Sequence, residues 1–476
     1  TTGANNTAVG FYSLLENTTA SNNTAVGTQA LRANTTGTTN VAVGLCALKA
    51  NTTADDNTSI GGQTLSANTT GTCNTALGQG ALFTNTTASA NTAIGRHALL
   101  LNTTGEVNSA FGAFALRTNT TGFGNTAIGK NSLYTNNGNN NTAVGHEALE
   151  LNTSGGCNVA VGRQALEANT TGDNNSAVGF CVLASNTTGC YNHALGRNNL
   201  MSNTTGCYST AIGQQALQNS SATGDTGNTA VGALALYENT SGTNNTAVGR
   251  LALSCNTTAA GNVAVGYNAL VANTEGGCNT AVGCNAGGTM TTATNNVVMG
   301  RASMGNTTTG SENTALGALS LQTNSTGANN VAVGFCALKS NTTADNNTAI
   351  GCGSLGVNTT GCQNTGLGRN SLQDNTTGCR NVALGLDSLS NNTSGVCNTG
   401  VGFDAGSTIT TGSNLTVLGS GAQPSSATAT NEITLGNSSV TSLRCADTSI
   451  SSLSDLRDKK NVEDIPHGLD FINALL

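Results

Sequence analysis

The sequence predicts an all-β chain, a parallel β-solenoid or β-roll of about 26 rungs, and three observations carry that prediction. A seventeen-residue unit recurs through most of the 476 residues, marked by a glycine at Gly10, Gly27, Gly44, Gly61 and Gly78 and onward to Gly419 and Gly436. A unit this short and polar has no core of its own, so it must be one rung of a stack stabilised by its neighbours. Apolar residues return in two files: Val9, Val26, Val43, Ile60, Leu77 and Ile94 before the glycine, and Leu14, Leu31, Leu48, Leu65, Leu82 and Leu99 after it. The composition lacks the material of an ordinary globular core, with 8% charged and 3% aromatic residues, 62 glycines, two prolines and no tryptophan.

Each rung opens on a short strand such as Thr7-Ala8-Val9, in which Ala8, Ala25 and Ala42 leave room for close backbone approach. The glycine then permits a turn that a side chain would obstruct, and the following Ala-Leu segment reads as a second short strand. The asparagines seven residues past each glycine, Asn17, Asn34, Asn51, Asn68, Asn85, Asn102 and Asn119, stand where the chain must turn. Their amides bond nearby backbone and tolerate left-handed geometry. The Asn-Thr-Thr triplets also match the glycosylation acceptor pattern, as any dense Asn-Thr ladder would. Helix fits less well, because Asn, Thr and Gly dominate and the apolar segments are only a few residues long. At ~4.8 Å per rung the stack is a rod of roughly 125 Å. Two steps break the period, sixteen residues to Gly145 and nineteen to Gly232; a shortened turn and an enlarged loop are expected there, with the files kept in register.

Several function classes lose their basis. The formal charge is −7 and no Lys/Arg cluster precedes residue 457, so nucleic-acid binding has no electrostatic footprint. No run approaches the roughly 18 to 20 apolar residues of a membrane span. The 23 acidic residues give no close pair in neighbouring rungs for two-carboxylate glycoside cleavage. The threonine doublets Thr18-Thr19 and Thr35-Thr36 are adjacent, whereas an ice-binding strand face would present alternate residues. His97, His146, His193 and His467 are scattered singly, and neither His-x-x-x-His nor Cys-x-x-Cys occurs; no metal and no cofactor are expected. Tyr191 and Tyr208 occupy equivalent positions and are expected to form a short exposed aromatic ladder.

The fifteen cysteines fall mainly into two sets. Cys73, Cys157, Cys190, Cys207, Cys278, Cys362, Cys379 and Cys397 lie five or six residues before a register glycine, and Cys46, Cys181, Cys284, Cys336 and Cys352 just after one. Cys190 and Cys207 share a register in adjacent rungs, as do Cys362 and Cys379. Rung spacing lies within disulfide reach, so longitudinal disulfides are expected for these two pairs and buried free thiols for most of the rest.

One rung with few apolar residues buries little as a single chain, against the cost of ordering its backbone. Burial of one face against two identical chains, in a homotrimer intertwined or side by side, remedies this and turns the Val/Ile and Leu files toward shared or internal cores. The segment Asn6-Thr7-Ala8-Val9-Gly10 and its successors resemble the heads of trimeric autotransporter adhesins, whose Asn-Ser-Val-Ala-Ile-Gly-like units form left-handed parallel β-rolls. The likeness covers residues 1–436 and departs in the length of the unit. The chain count of three follows in part from this resemblance.

After Gly436 the period fails. Residues 437–453 form a Ser- and Thr-rich transition, and 454–476 a different object in which charge concentrates. Pro466 to Leu476 reads as a turn into a short amphipathic helix. Ser454-Asp455-Leu456-Arg457-Asp458-Lys459-Lys460-Asn461-Val462, with Leu469, resembles the start of the endosialidase-type intramolecular chaperone of phage tail fibres and tailspikes, a self-cleaving domain classified as a peptidase. The resemblance implies that Ser454 and Lys459 are catalytic and cleave the Leu453–Ser454 bond once, a neighbouring amine taking the hydroxyl proton of a weak nucleophile. The match ends at Leu476, where most of that domain would follow. Together the resemblances imply the structural shaft of a trimeric viral or phage tail fibre. A host cell-surface receptor would be met through a tip, and the virion through an N-terminal region, both expected outside this chain, which opens within a repeat at Thr1-Thr2-Gly3. The alternative is a bacterial trimeric surface adhesin or extracellular filament; an anchor or coiled-coil stalk in the flanking sequence would mark it.

Overall fold

The structure, a computed structural model, describes residues 2–444. Each rung contributes one strand, from Thr7–Val9, Thr24–Val26 and Val41–Val43 to Ile433–Leu435. Most have three residues; Ser176–Phe180, His193–Arg197 and Thr210–Gln214 have five. They stack in chain order into a 26-stranded parallel sheet, each strand pairing with its equivalent in the next repeat, as in Thr24↔Val41, Ala25↔Ala42 and Val26↔Val43. The described residues contain no helix. The fold is therefore a parallel β-solenoid with a repeat of about 17 residues. The helical reading of 466–476 lies outside the described residues.

The predicted second strand is replaced by turns. Gln29, Leu31 and Thr39 of one rung have φ of 60°, 49° and 59°, and the same three places are left-handed in most rungs. Such a residue costs about 1–2 kcal/mol. Here it turns an N–H along the rod axis into a bond with a neighbouring rung: Gln29 to Phe11 O at 2.8 Å, Leu31 to Ala47 O at 3.0 Å, Thr39 to Ser21 O at 3.1 Å. The register glycine is still more constrained. Gly27 has φ +133°, and a Cβ there would stand 2.6 Å from the carbonyl oxygen of Gly44, so no other residue fits.

The core is a small apolar column flanked by two polar ones. The second residue of each strand, usually alanine, points inward and is buried in all but the first and last strands of the sheet. Beside it stand the leucines Leu31, Leu48, Leu65, Leu82 and their equivalents, each fully buried and worth about 1.5–3 kcal/mol. Two asparagines per rung complete the interior. Asn34 Nδ2 donates to Gly37 O at 2.9 Å, closing the predicted turn, and Asn51 Nδ2 donates to Asn34 Oδ1 at 2.9 Å. In the second column Asn40 N–H and Nδ2 donate to Asn23 Oδ1 at 2.9 and 3.2 Å, while Asn23 Nδ2 reaches Gly37 O at 2.9 Å. One turn carbonyl thus accepts from both ladders. Where an apolar residue interrupts the first ladder, the amide below loses its partner: Asn273 Oδ1 below Met290, and Asn392 Oδ1 below Ile409, are buried without a hydrogen bond.

Both irregular steps keep the sheet in register, with Thr126↔Thr142 across the short one and Thr210↔Thr229 across the long one. The missing residue is taken from the turn Asn136-Asn137-Gly138. The two extra residues lie in Ser220–Asn228, where Gly224–Asp225 pairs with Gly206–Cys207 as a second, two-stranded sheet.

Candidate interaction surface

Strand alternation decides what the rod displays. Because the middle residue of Thr-Ala-Val faces the core, the residues on either side face outward. The Val/Ile file is therefore not part of the internal core: Leu77, Leu195 and Leu367, all in that file, are 43%, 50% and 47% exposed. The two apolar files read from sequence thus separate into an internal leucine column and an outward valine column. The outward column is apolar in every strand, from Val9 to Leu435, and its companion column is mostly Thr or Val. Neither contains Asp, Glu, Lys or Arg; His193 is the sole ionisable residue in them. Ser176, Val178, His193, Leu195, Thr210 and Ile212 line a shallow groove of about 190 Å³ on this face. The strand threonines Thr24, Thr58 and Thr75 also stand on it, two residues from an apolar neighbour, an alternation that the turn doublets had obscured.

Charge gathers instead on the turn face between Arg96 and Arg197. Phe114 lies between the guanidinium groups of Arg96 and Arg117, 5.4 and 5.9 Å from its ring centre, and Arg117 donates to the Tyr134 hydroxyl. Phe114, Lys130, Asn131, Tyr134 and Glu150 line a groove of about 460 Å³. Next to it Glu147, Glu150 and Glu167 bring one carboxylate oxygen each within 4.8 Å of one another. The expectation of no close acidic pair fails here, since Glu150 and Glu167 occupy one column a repeat apart, a spacing that was legible.

Burial pushes the carboxyls of Glu150 and Glu167 up, and the neighbouring Glu147 adds to both, while Asn131 offsets part of it at Glu150 and Gln164 at Glu167. His146 Nδ1 lies 3.2 Å from Glu147 Oε2.

The turn asparagines Asn34, Asn51 and Asn68 are buried, their amide nitrogens committed to hydrogen bonds, which closes these Asn-Thr-Thr sites to a glycan on the folded rod. Tyr191 and Tyr208 stack with ring centres 5.1 Å apart and planes 2° from parallel. The cysteines are not buried: Cys73, Cys157, Cys255, Cys278, Cys284, Cys352 and Cys397 are exposed and the other described ones half-buried, because their columns sit at outward corners.

In the two register pairs the sulfurs approach to 3.0 Å, Cys190 to Cys207, and 3.2 Å, Cys362 to Cys379, as free thiols. Burial, then the hydrogen bond with Cys207, pushes the Cys190 thiol up to about 11. The bond with Cys379, then burial, raises Cys362.

Ser454 and Lys459, with the Leu453–Ser454 bond, lie outside the described residues. No helix among the described residues is long and apolar enough to cross a membrane. No protein-family model matches the chain, and no curated protein matches it.

Proposed function

We propose that this chain is the structural shaft of a trimeric viral or phage tail fibre, with two further copies covering its outward Thr/Val face and the rod holding a host-attachment tip away from the particle. The observation that carries this reading is the unbroken apolar outward column. A soluble monomer rarely exposes a contiguous apolar patch beyond a few hundred Å², and this one runs past 26 strands. Parallel copies in equal register set each outward valine or isoleucine against its own equivalents, a match that a rung-by-rung repeat supplies at every height. The motif at Ser454–Leu469 supports a fibre through its resemblance to a fibre chaperone.

Native mass measurement tests the reading. The parent chain is expected as a trimer, and Leu195→Lys with Ile212→Lys as a folded species of lower order with unchanged β circular dichroism. A parent that stays monomeric at all accessible concentrations rejects the trimer.

One observation favours a second reading. Alternating Thr and Val on an uncharged, regular strand face suits ordered water, so a monomer with that face open would bind ice. Thermal hysteresis from a monomeric parent would select this reading; a trimer without hysteresis removes it.

A further inference from the structure

Cysteine stands directly above cysteine at two heights of the rod. Both pairs occupy the column that follows the Gly of the Asn-Thr-Thr-Gly turn, a repeat apart. That column has a recurring task, capping a backbone N–H of the rung below. Asp55 Oδ1 accepts from Thr38 N–H at 2.6 Å, Asp173 Oδ1 from Gly156 N–H at 2.6 Å, and Ser311 Oγ from Thr294 N–H at 3.0 Å. Cys207 Sγ does the same for Cys190 N–H at 3.0 Å, and Cys379 Sγ for Cys362 N–H at 3.1 Å. Capping needs only the upper residue of each pair. Asp or Ser serves elsewhere, and neither Cys190 nor Cys362 caps the rung beneath it. The second thiol of each pair therefore has no part in capping, and in both it faces the first.

We propose that Cys190–Cys207 and Cys362–Cys379 are sites of intrachain disulfide formation, two covalent staples that each tie one rung to the next. The geometry is prepared. Neighbouring rungs are ~4.8 Å apart, inside the range of Cα separations that disulfides bridge, so sulfurs already 3.0 and 3.2 Å apart need close by only about 1 Å. The capping N–H fixes the upper sulfur over the lower one. The oxidant is a low-molecular-weight disulfide such as oxidised glutathione. One cysteine thiolate attacks it, forms a mixed disulfide and releases one small thiol; the second thiolate attacks the protein sulfur of that mixed disulfide and releases the other. Two protein thiols lose two protons and two electrons, and the small disulfide is reduced to two thiols.

The other cysteines provide internal controls. Cys397 is one rung above Cys379 but one column over, its N–H bonded to Cys379 O at 3.0 Å. Cys336 and Cys352 also lie on adjacent rungs in different columns, and Cys46 and Cys181 face Gln29 and Gln164.

The test holds the full chain in glutathione buffers from reducing to oxidising, blocks free thiols with N-ethylmaleimide and maps the peptides by mass spectrometry. Cys190 and Cys207 are expected to lose label together, as are Cys362 and Cys379, while Cys73, Cys157, Cys278 and Cys397 keep it. Cys190→Ser should leave Cys207 labelled and the other pair unchanged. Mixing isotopically light and heavy chains before assembly should give bridges within one isotope only. Full labelling of all four at the oxidising limit, bridges to other cysteines, or mixed-isotope bridges would overturn the proposal. None of these outcomes depends on how many chains assemble, so the trimer reading stands or falls separately.

Discussion

The short turn at Asn136–Gly138 and the long loop at Ser220–Asn228 depart from the same repeat in opposite directions, and they differ in what they preserve. At the short turn both amide ladders run through. Asn136 Nδ2 reaches Gly138 O two residues on at 2.8 Å, Asn152 Nδ2 donates to Asn136 Oδ1 at 2.6 Å, and Asn141 N–H donates to Asn125 Oδ1 at 2.9 Å. The missing backbone carbonyl is replaced by a side chain: Asn137 Oδ1 accepts from Thr120 N–H at 2.7 Å, where the regular rung below uses Thr120 O. At the long loop both ladders stop. Ser220 replaces the first asparagine and its hydroxyl is buried without a partner. Ser209 replaces the second and bonds Thr226 Oγ1 at 2.6 Å. The strands pair through both sites, so strand register survives where the amide ladders stop, and the two are separable.

The largest expected effect breaks a ladder where it is intact. Asn108 donates to Asn91 Oδ1 and Gly122 O and accepts from Asn125 N–H at 3.0 Å, all buried. Asn108→Ala leaves a buried N–H and a carbonyl short of a partner, and at about 1–3 kcal/mol each the cost is roughly 2–6 kcal/mol. Ser209→Ala, where the ladder has already ended, should cost about 1 kcal/mol. Because a solenoid opens locally, amide hydrogen exchange in the flanking rungs is the suitable measurement. Equal loss of protection at the two sites would mean that the ladders add nothing to the sheet.

A smaller effect is expected at the short turn. Asn137→Ala removes the acceptor from Thr120 N–H and Thr120 Oγ1, but water replaces it at this exposed place, so about 1 kcal/mol is lost. Thr103→Ala, at the equivalent place in a regular rung where the backbone carbonyl does this work, should cost less. The converse repair is Ser220→Asn. Its amide would stand between Asn203 and Asn239 as Asn136 stands between Asn119 and Asn152, and a gain of about 1 kcal/mol in local opening is expected. No gain would show that the enlarged loop, and not the serine, ends the ladder.

This contrast also separates what the sequence discloses from what it conceals. Period, glycine, leucine column and the turn asparagines were legible because each recurs at one place and has one task. The second asparagine column was not: Asn23 and Asn40 precede a strand and read as part of its opening motif, although they cap buried N–H groups one rung on. Which file is internal and which faces outward was not legible, because Val26 and Leu31 are equally apolar and only strand parity, with Ala25 inward, distinguishes them. The Leu segment looked extended because left-handed leucine is rare, and nothing local announces it. Of the surface, the cysteine pairs and Tyr191–Tyr208 were read from register alone, while Glu150 and Glu167 were missed though they obey the same rule.

The smallest effect concerns the left-handed place just before the second asparagine column, which the two irregular turns and the regular rungs fill differently. The short turn puts Asn140 there, φ 57°, and the long loop Gly227, φ 55°, residues that adopt this backbone readily. A regular rung puts Val107 there, φ 58°, although a β-branched side chain crowds the left-handed region most. Val107 is 61% exposed, so little packing is lost when it is replaced. Its N–H bond to Ser89 O, 3.3 Å, is the longer end of this column, whereas Asn140 N–H reaches Phe123 O at 3.0 Å. Val107→Asn should therefore relieve strain and stabilise by up to about 1 kcal/mol, and Asn140→Val should cost a similar amount at the short turn. The pair must move in opposite directions in a thermal or exchange measurement; if Asn140→Val is neutral, the neighbouring rungs hold this backbone whatever residue occupies it, and the choice of Asn and Gly at the irregular turns has another cause.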